Sequence, residues 1–273
     1  FLKKGLKSRL IEMKDRVLPN MLDKDMSNIV EDYLSSLNMN VHTSTVASSF
    51  IGSKEVTHVK ANGNEFETDL VLVSVGVRPN VELAKNAGIE TGITGAIVTD
   101  ASLRVRRHGK YLKNVYACGN CIEVTDIITH KSTISALGST AIRQGVLVAD
   151  NILGKNSVFG SISSPSIAVI GELEVGTVGI TKERALEYGI SPIEGNAKGL
   201  TRAKYYPRGE DIYVKILSDS DYRVIGAQVI SKEEVKGRID AMALLIRRKT
   251  TVHQLATSET SYAPPISSAL DPI

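Results

Sequence analysis

The stretch Lys7-Ser8-Arg9-Leu10-Ile11-Glu12-Met13 decides the fold, because it predicts a short strand that ends in an acid. Beyond Pro19 and a predicted N-cap at Asp23, apolar residues recur at the three- and four-residue spacing of an amphipathic helix. These residues are Met26, Ile29, Val30, Tyr33, Leu34 and Leu37. A second strand is expected at residues 41–43. Phe1 to Gly5 resembles the last turn of a helix that ends at Gly5, so the chain opens on the second half of a βαβ unit.

The next hundred residues predict more strands around this unit. Residues 55–69 alternate in polarity on both sides of Asn62-Gly63, a dipeptide typical of a hairpin turn. The run Asp69-Leu70-Val71-Leu72-Val73-Ser74-Val75-Gly76 is continuously apolar, as expected of a parallel strand covered on both faces. Residues 96–99 and 115–117 predict two further strands, with Arg104, Arg106 and Arg107 in a loop between them.

The pattern changes after a helix predicted over residues 141–153. Residues 154–166 are rich in Gly, Ser, Asn and Pro, which indicates a domain boundary. Beyond it, residues 167–170, 212–217 and 224–230 predict antiparallel strands. A helix is predicted by the spacing of Val235, Ile239, Met242 and Ile246. The C-terminal part is therefore expected to be α+β.

Composition excludes several classes of protein. Of 273 residues, 42% are hydrophobic and 23% are charged, as in an ordinary soluble globular protein. The net charge of +3 is too small to argue for a nucleic-acid partner. No apolar run reaches the ~18 residues that a membrane span requires. The two cysteines cannot form a disulfide framework, and they favour a reducing, cytoplasmic location.

Glu12 is the first residue with a specific chemical meaning. An acid at the end of the second strand of a Rossmann unit can bind both ribose hydroxyls of an adenosine. The alternative is a solvated loop carboxylate, because no G-x-G-x-x-G fingerprint occurs in this chain. Taken alone, Glu12 leaves both interpretations open.

Cys118-Gly119-Asn120-Cys121 is a C-x-x-C motif, whose cysteines could bind zinc, form a redox pair or pack in a core. A zinc site requires a second pair of ligands, which the sequence lacks. A redox pair favours a helix N-terminus, whereas this motif follows a strand that reads as buried. We therefore favour packing cysteines, and the five histidines show no metal or catalytic-triad spacing that would add a metal site.

Two other sets of sequence motifs have more than one possible role when the residues are considered alone. Gly138-Ser139-Thr140 opens a helix, whose free N–H groups can bind negative charge, although any Ser-Thr start can cap a helix. Tyr205-Tyr206-Pro207 and Tyr262-Ala263-Pro264-Pro265 carry phenols that can donate a hydrogen bond to an anion. Spacing alone favours aromatic packing at an interface for these tyrosines.

Taken together and in this order, the strings resemble the flavin-dependent pyridine nucleotide–disulfide oxidoreductases, in the branch of coenzyme A-disulfide reductases and NADH oxidases. The resemblance rests on residues 12–19, 69–80, 87–100, 114–121 and 137–141. It implies that NADH or NADPH is bound by Glu12, Gly76 and Arg78. It implies that FAD is bound by Gly119, Asn120, Leu137, Gly138, Ser139 and Thr140. The family has Asp where this chain has Asn120, so we expect weaker flavin binding.

Residues 165–273 resemble the interface domain of that family. Tyr205, Tyr206 and Tyr262 lie in its most specific strings and point to the coenzyme A-disulfide branch. The resemblance implies a homodimer in which these tyrosines approach the active-site sulfur of the partner subunit and act as catalytic residues.

The resemblance also implies a domain order and a fold class. We expect an α/β protein with partial Rossmann-like FAD- and NAD(P)-binding domains, followed by an α+β dimerisation domain. The expected parts are the remainder of an NAD(P)-binding domain at 1–85, a returning segment of an FAD-binding domain at 86–156, and the interface domain at 157–273. Because Phe1 falls just past the position of a Rossmann glycine loop, we expect a longer working protein whose catalytic cysteine is not in this chain.

The implied function is electron transfer from NAD(P)H through FAD and a cysteine to a disulfide such as coenzyme A disulfide. Glu12 argues for NADH because a carboxylate repels a 2′-phosphate, but Lys14 and Arg16 leave NADPH open. The alternatives are an NADH oxidase that reduces oxygen, a polysulfide reductase, and a non-catalytic dimerisation or nucleotide-binding fragment.

Overall fold

The strand, helix and strand predicted at the start of the chain form a βαβ unit in the computed structural model, which describes residues 2–273. A 3-10 turn at Leu2–Lys4 precedes strand β1 (Arg9–Ile11), helix α1 (Lys24–Ser36) and strand β2 (Asn40–His42). Strands β1 and β2 pair in parallel, with Leu10 opposite Val41. The start of the helical turn predicted before Gly5 includes Phe1, which lies outside the described residues.

A three-stranded antiparallel sheet follows. Its strands are β3 (Ala47–Gly52), β4 (Val56–Ala61) and β5 (Asn64–Glu67), in that order. Asn62 and Gly63 both have positive φ, 46° and 81°, which is the backbone of a type I′ turn and confirms the predicted hairpin. Strand β3 was not predicted, because Ala47-Ser48-Ser49 lacks an apolar alternation.

The strand predicted at residues 69–76 is wrong. The segment makes no strand pairing, and the side chains of Leu72 and Val75 are 74% and 91% exposed. A parallel strand is stabilised by neighbours on both sides. Within residues 2–273 no strand pairs with this segment, and most of its apolar side chains are exposed.

The middle of the chain contains short elements around a small core. In chain order they are helix α2 (Glu82–Asn86), the hairpin of β6 (Arg104–Arg107) and β7 (Lys110–Tyr116), strands β8 (Val124–Thr125) and β9 (Ser132–Thr133), and the longer helix α3 (Gly138–Ile152). The three arginines lie in β6 and not in the predicted loop. Ion pairs of Arg104 with Asp100 and of Arg106 with Glu90 offset the charges along this strand. The strand predicted at 96–99 is reduced to isolated bridges such as Ile97–Ile122.

The C-terminal part is a five-stranded antiparallel sheet covered by helix α5 (Val235–Arg247), which confirms the α+β prediction. The strand order is β10 (Ser166–Ile170), β11 (Leu173–Gly179), β14 (Val224–Ser231), β13 (Asp211–Ser218) and β12 (Ile193–Leu200). Short helices α4 (Lys182–Glu187) and α6 (Val252–Ala256) complete it. The mostly exposed edge strand β12 carries no apolar alternation, so the sequence did not reveal it.

Helix α1 shares its core with this C-terminal sheet. Its buried side chains Val30 and Leu34 belong to the same apolar cluster as Leu173 and Val175 of β11 and Ile230 of β14. The nucleotide-type unit at the start of the chain is therefore packed directly on the C-terminal sheet. In the part of the chain that the structure describes, the helices are all too short or too polar to cross a lipid bilayer.

Candidate functional site

Glu12 directly follows strand β1 and is held in place by its neighbours. Its backbone N–H donates to the carbonyl of His42, 2.9 Å away, and extends the parallel pairing. Its Oε1 accepts the N–H of Lys14 at 2.8 Å. The carboxylate thus has a fixed position at the carboxyl end of a parallel strand, where ligands of open α/β sheets bind.

Arg16 is buried and fully engaged, although the sequence left it open as a ligand for a 2′-phosphate. Its guanidinium donates to Asp15 at 2.8 Å, to the carbonyl of Leu22 at 3.1 Å and to Glu183 of α4. Burial opposes the charge of Arg16, but the hydrogen bond and the charge of Glu183 outweigh it and raise the pKa of Arg16. Lys14 is exposed, and its backbone N–H contacts Glu12.

Gly76 and Arg78 lie in the segment that follows β5. Both are exposed, and Gly76 has a φ of 96° with open space where a Cβ would stand. Among the residues that the structure describes, none makes a hydrogen bond or ion pair to the Arg78 side chain. Within residues 2–273, no hydrogen bond or ion pair joins either of these two residues to Glu12.

The predicted flavin residues do come together at the start of helix α3. The N–H of Gly119 donates to Oε1 of Gln144 at 2.7 Å, and a Cβ on Gly119 would lie 3.7 Å from the Cβ of Ala141. The loop that carries Asn120 is therefore packed on the first turns of α3. The exposed side chain of Asn120 makes no hydrogen bond within residues 2–273, so its amide oxygen is free to accept one.

The residues at this helix start fit an acceptor-rich or anionic group. Helix α3 has 15 residues, and Leu137 at its N-cap provides no side-chain cap. In the described part of the chain, the N–H groups of Gly138 and Ser139 have no acceptor, although Thr140 bonds back to the carbonyl of Leu137. Such free N–H groups, together with the helix dipole, favour negative charge, as on the pyrimidine side of a flavin.

Gln144 is a residue that sequence reasoning missed. It is fully buried, and its Nε2 has no partner among the described residues. The sequence does contain a signal for it: Gln144 is a polar residue on the same helix face as the apolar Ala141, Leu147 and Val148. Its Oε1 links the loop of Gly119 to α3, while the buried Nε2 leaves one donor for a bound group.

Cys118 and Cys121 are free thiols that pack against the apolar core of the middle segment. Burial raises the pKa of Cys121, and its Sγ lies 3.3 Å from the carbonyl of Cys118. A reactive cysteine has a lowered pKa, so this environment favours the packing role predicted from the sequence.

Tyr205 and Tyr262 form the other close pair among the predicted site residues. Their hydroxyl oxygens lie 2.8 Å apart, although 57 residues separate them in the chain. The N–H of Ala203 donates to the carbonyl of Pro264 at 3.3 Å and so joins the two segments. Tyr205 is 75% exposed, and Tyr206 and Tyr262 are also exposed. The hydrogen bond between the two hydroxyls raises the pKa of Tyr262, so its phenol stays protonated.

Comparisons with known proteins give two family-model matches along the chain. Residues 1–145 match the model of the pyridine nucleotide-disulphide oxidoreductases, and residues 165–272 match the dimerisation domain of the same proteins. An NADH oxidase of Methanocaldococcus jannaschii is 38% identical over 99% of this chain and 59% of its own length. A CoA-dependent NAD(P)H sulfur oxidoreductase of Pyrococcus furiosus is 33% identical over 100% of this chain and 60% of its length.

A solved structure shows the same fold. The NAD-dependent persulfide reductase of A. fulgidus superposes with a TM-score of 0.92 at 36% identity, over 98% of this chain and 49% of that chain. The chain thus spans about three fifths of the length of the curated relatives described above. Both family models and these relatives confirm the family and the fold class predicted from the sequence. The chain belongs to the pyridine nucleotide-disulphide oxidoreductase family.

Proposed function

We propose that this chain is part of an FAD-dependent enzyme that passes electrons from NADH to a small disulfide such as coenzyme A disulfide. The observation that carries the proposal is the hydrogen-bonded pair Tyr205–Tyr262, which holds two phenols together on an exposed surface. Exposed phenols that are paired with each other and not packed in a core are poised to meet a ligand.

The tyrosines are proposed to act on a thiolate. A phenol donates its proton in a hydrogen bond and thereby steadies the negative charge that sulfur carries when a disulfide is cleaved. One hydroxyl of the pair donates its hydrogen to the other, so the second O–H stays free to donate to a ligand. Tyr206 is the next residue after Tyr205 in the chain. A match to a dimerisation domain supports a homodimer in which these phenols face the sulfur of the partner subunit.

The nucleotide site is proposed to form around Glu12. Its carboxylate can accept hydrogen bonds from the ribose hydroxyls and repel a 2′-phosphate. Because Arg16 is committed to Glu183 and to its own loop, we propose that NADH is preferred over NADPH. Gly76 and Arg78 are proposed to complete the site from the segment that follows β5.

The flavin site is proposed to consist of Gly119, Asn120 and the helix start Leu137–Thr140. FAD, when bound, would supply the two-electron chemistry that links the nicotinamide to sulfur. The free N–H groups of Gly138 and Ser139 would hold its negative charge, and the amide oxygen of Asn120 would accept a hydrogen bond. We propose that Cys118 and Cys121 pack this loop and do not serve as the redox sulfur.

The three-part division at 1–85, 86–156 and 157–273 and a cytoplasmic location belong to the same proposal. An NADH oxidase is the second candidate, because the relative that is 38% identical bears that name. A sulfur or polysulfide acceptor is the third, supported by the name of the Pyrococcus furiosus relative.

The proposal is tested by the colour and redox response of the purified protein. We expect a yellow dimer that absorbs at about 450 nm, as flavoproteins do, and that is bleached by NADH without oxygen. A Glu12→Gln variant should require more NADH for the same bleaching. A colourless dimer that binds neither flavin nor NADH would contradict the proposal and favour a non-catalytic module.

A further inference from the structure

The loop that carries Glu12 is anchored at both ends, and its far end is anchored on the C-terminal sheet. Near Glu12, the carbonyl of Lys14 accepts the N–H of Ser44 at 2.6 Å, which ties the loop to the residues after β2. Nine residues after Lys14, Asp23 is the N-cap of helix α1. Its side chain does not cap the helix but points away toward β13 and β14.

Asp23 makes an unusual number of contacts with the C-terminal part. Its N–H donates to Oε1 of Gln228, and its Oδ2 accepts from Nε2 of Gln228, both at 2.9 Å. Its Oδ1 accepts the N–H of Lys182 at 2.8 Å. Asp23 and Gln228 are 5% and 1% exposed, so these bonds are shielded from water. Hydrogen bonds to a buried charged group are stronger than those on a surface.

Lys215 completes this buried network. It lies in β13, is 2% exposed, and its Nζ contacts Asp23, Asp25 and Glu194 at 3.2, 2.9 and 2.8 Å. Burial disfavours the charged form of Lys215, yet hydrogen bonds to Glu194 and Asp25 and the charge of Asp23 outweigh it and raise its pKa. A buried lysine with these partners stays charged and ties α1 to β12 and β13.

An apolar contact and a second ion pair reinforce the same junction. Val30 of α1 packs in one cluster with Val175 and Ile230 of the sheet. Arg16, inside the loop, reaches Glu183 of α4. A surface salt bridge contributes little, but a network that combines buried ions, amide hydrogen bonds and apolar packing fixes one arrangement of the two parts.

We propose that Asp23 and Lys215 are positioning residues for the nucleotide: through them the dimerisation domain sets the place of Glu12 and hence the affinity for NADH. The inference rests on the proposed role of Glu12. Its physical basis is that Glu12 and Asp23 are the two ends of one loop. The N–H of Lys14 that holds the Glu12 carboxylate belongs to this loop, so a loose far end lets that N–H and the carboxylate move together. Such coupling is expected to travel through contiguous contacts of this kind.

The test measures the affinity of the flavin-loaded protein for NAD⁺ and for ADP-ribose by calorimetry, alongside kcat and the KM for NADH. Lys215→Met and Asp23→Asn should weaken both affinities by about 2- to 30-fold, the usual size of coupling to a distant site, and leave kcat unchanged. Lys198→Met is the matched control, because Lys198 lies on the same sheet and pairs with Asp211 on the surface at 2.8 Å. It should bind like the unmodified protein.

A double variant separates positioning from a general loss of structure. If Lys215 acts through Glu12, Glu12→Gln should weaken ADP-ribose binding by much less in the Lys215→Met background than in the unmodified protein. Two results would overturn the inference. One is that the losses of binding free energy in Lys215→Met and Glu12→Gln simply add in the double variant. The other is that folded Lys215→Met binds ADP-ribose as tightly as the unmodified protein, although Glu12→Gln binds it more weakly. Should Lys215→Met fail to fold, Asp23→Asn decides by the same criteria. If Glu12→Gln alone has no effect, it is the proposed role of Glu12 that fails.

Discussion

The hydroxyls of Tyr205 and Tyr262 lie 2.8 Å apart, joining the loop before β13 to the C-terminal segment. Both residues are well exposed, so this bond adds little to the stability of the fold. It instead orients two phenols relative to each other. The proposed thiolate chemistry depends on that orientation.

Tyr262→Phe should reduce turnover of a disulfide and leave the fold intact. Loss of one hydrogen bond to a charged group corresponds to roughly a 10- to 100-fold fall in kcat/KM. The thermal midpoint should hardly change, because the side chain is exposed. Steady-state assays with coenzyme A disulfide measure the fall in kcat/KM. Tyr222→Phe is the control variant, because Tyr222 is an exposed tyrosine outside the site. Equal loss in both variants would contradict the assignment.

The same pair predicts a specific dependence on pH. The hydrogen bond between Tyr205 and Tyr262 raises the pKa of Tyr262. The neutral phenol therefore persists above its ordinary pH range and is lost as pH rises through the raised pKa. Tyr205→Phe should lower the pKa of Tyr262, and the fall in activity at alkaline pH should begin at lower pH. Tyrosinate absorbance follows the titration. An alkaline limb that does not move would show that Tyr262 is not the titrating donor.

Much of this arrangement could be predicted from the sequence, and the misses have physical reasons. The spacing in α1 and α5 is strongly periodic and was correct in both cases. Residues 69–76 were predicted to be a buried strand because they are apolar, but a strand also requires a neighbouring strand to pair with. The contacts of Asp23 with Gln228 join residues 205 positions apart, and no local pattern reveals such a pair.

The commitment of Arg16 predicts that it does not select between NADH and NADPH. Arg16→Met should leave the ratio of kcat/KM for the two nucleotides unchanged and should lower the thermal midpoint, because Asp15, Glu183 and the carbonyl of Leu22 lose a shared donor. Glu12→Gln should move the ratio toward NADPH, because it removes the charge that repels a 2′-phosphate. A marked loss of NADPH turnover in Arg16→Met would show that the arginine reaches the nucleotide.

Asn120 should limit how tightly flavin is held. A carboxylate accepts a hydrogen bond about twice as strong as a neutral amide does, so Asn120→Asp should slow the loss of flavin. The measurement is the ratio of flavin to protein after prolonged dialysis. Asn114→Asp, on the exposed side of strand β7, adds the same charge nearby and should have no effect. Faster loss of flavin from Asn120→Asp would mean that this side chain does not face the cofactor.

The most direct test of the proposed function is an anaerobic assay of the flavin-loaded protein with NADH and coenzyme A disulfide, in which thiol release and NADH oxidation are followed together. We predict that NADH is consumed without oxygen and that both thiols of the disulfide appear in step with it. NADH consumption that requires oxygen and releases no thiol, or no consumption under either condition, would contradict a disulfide reductase.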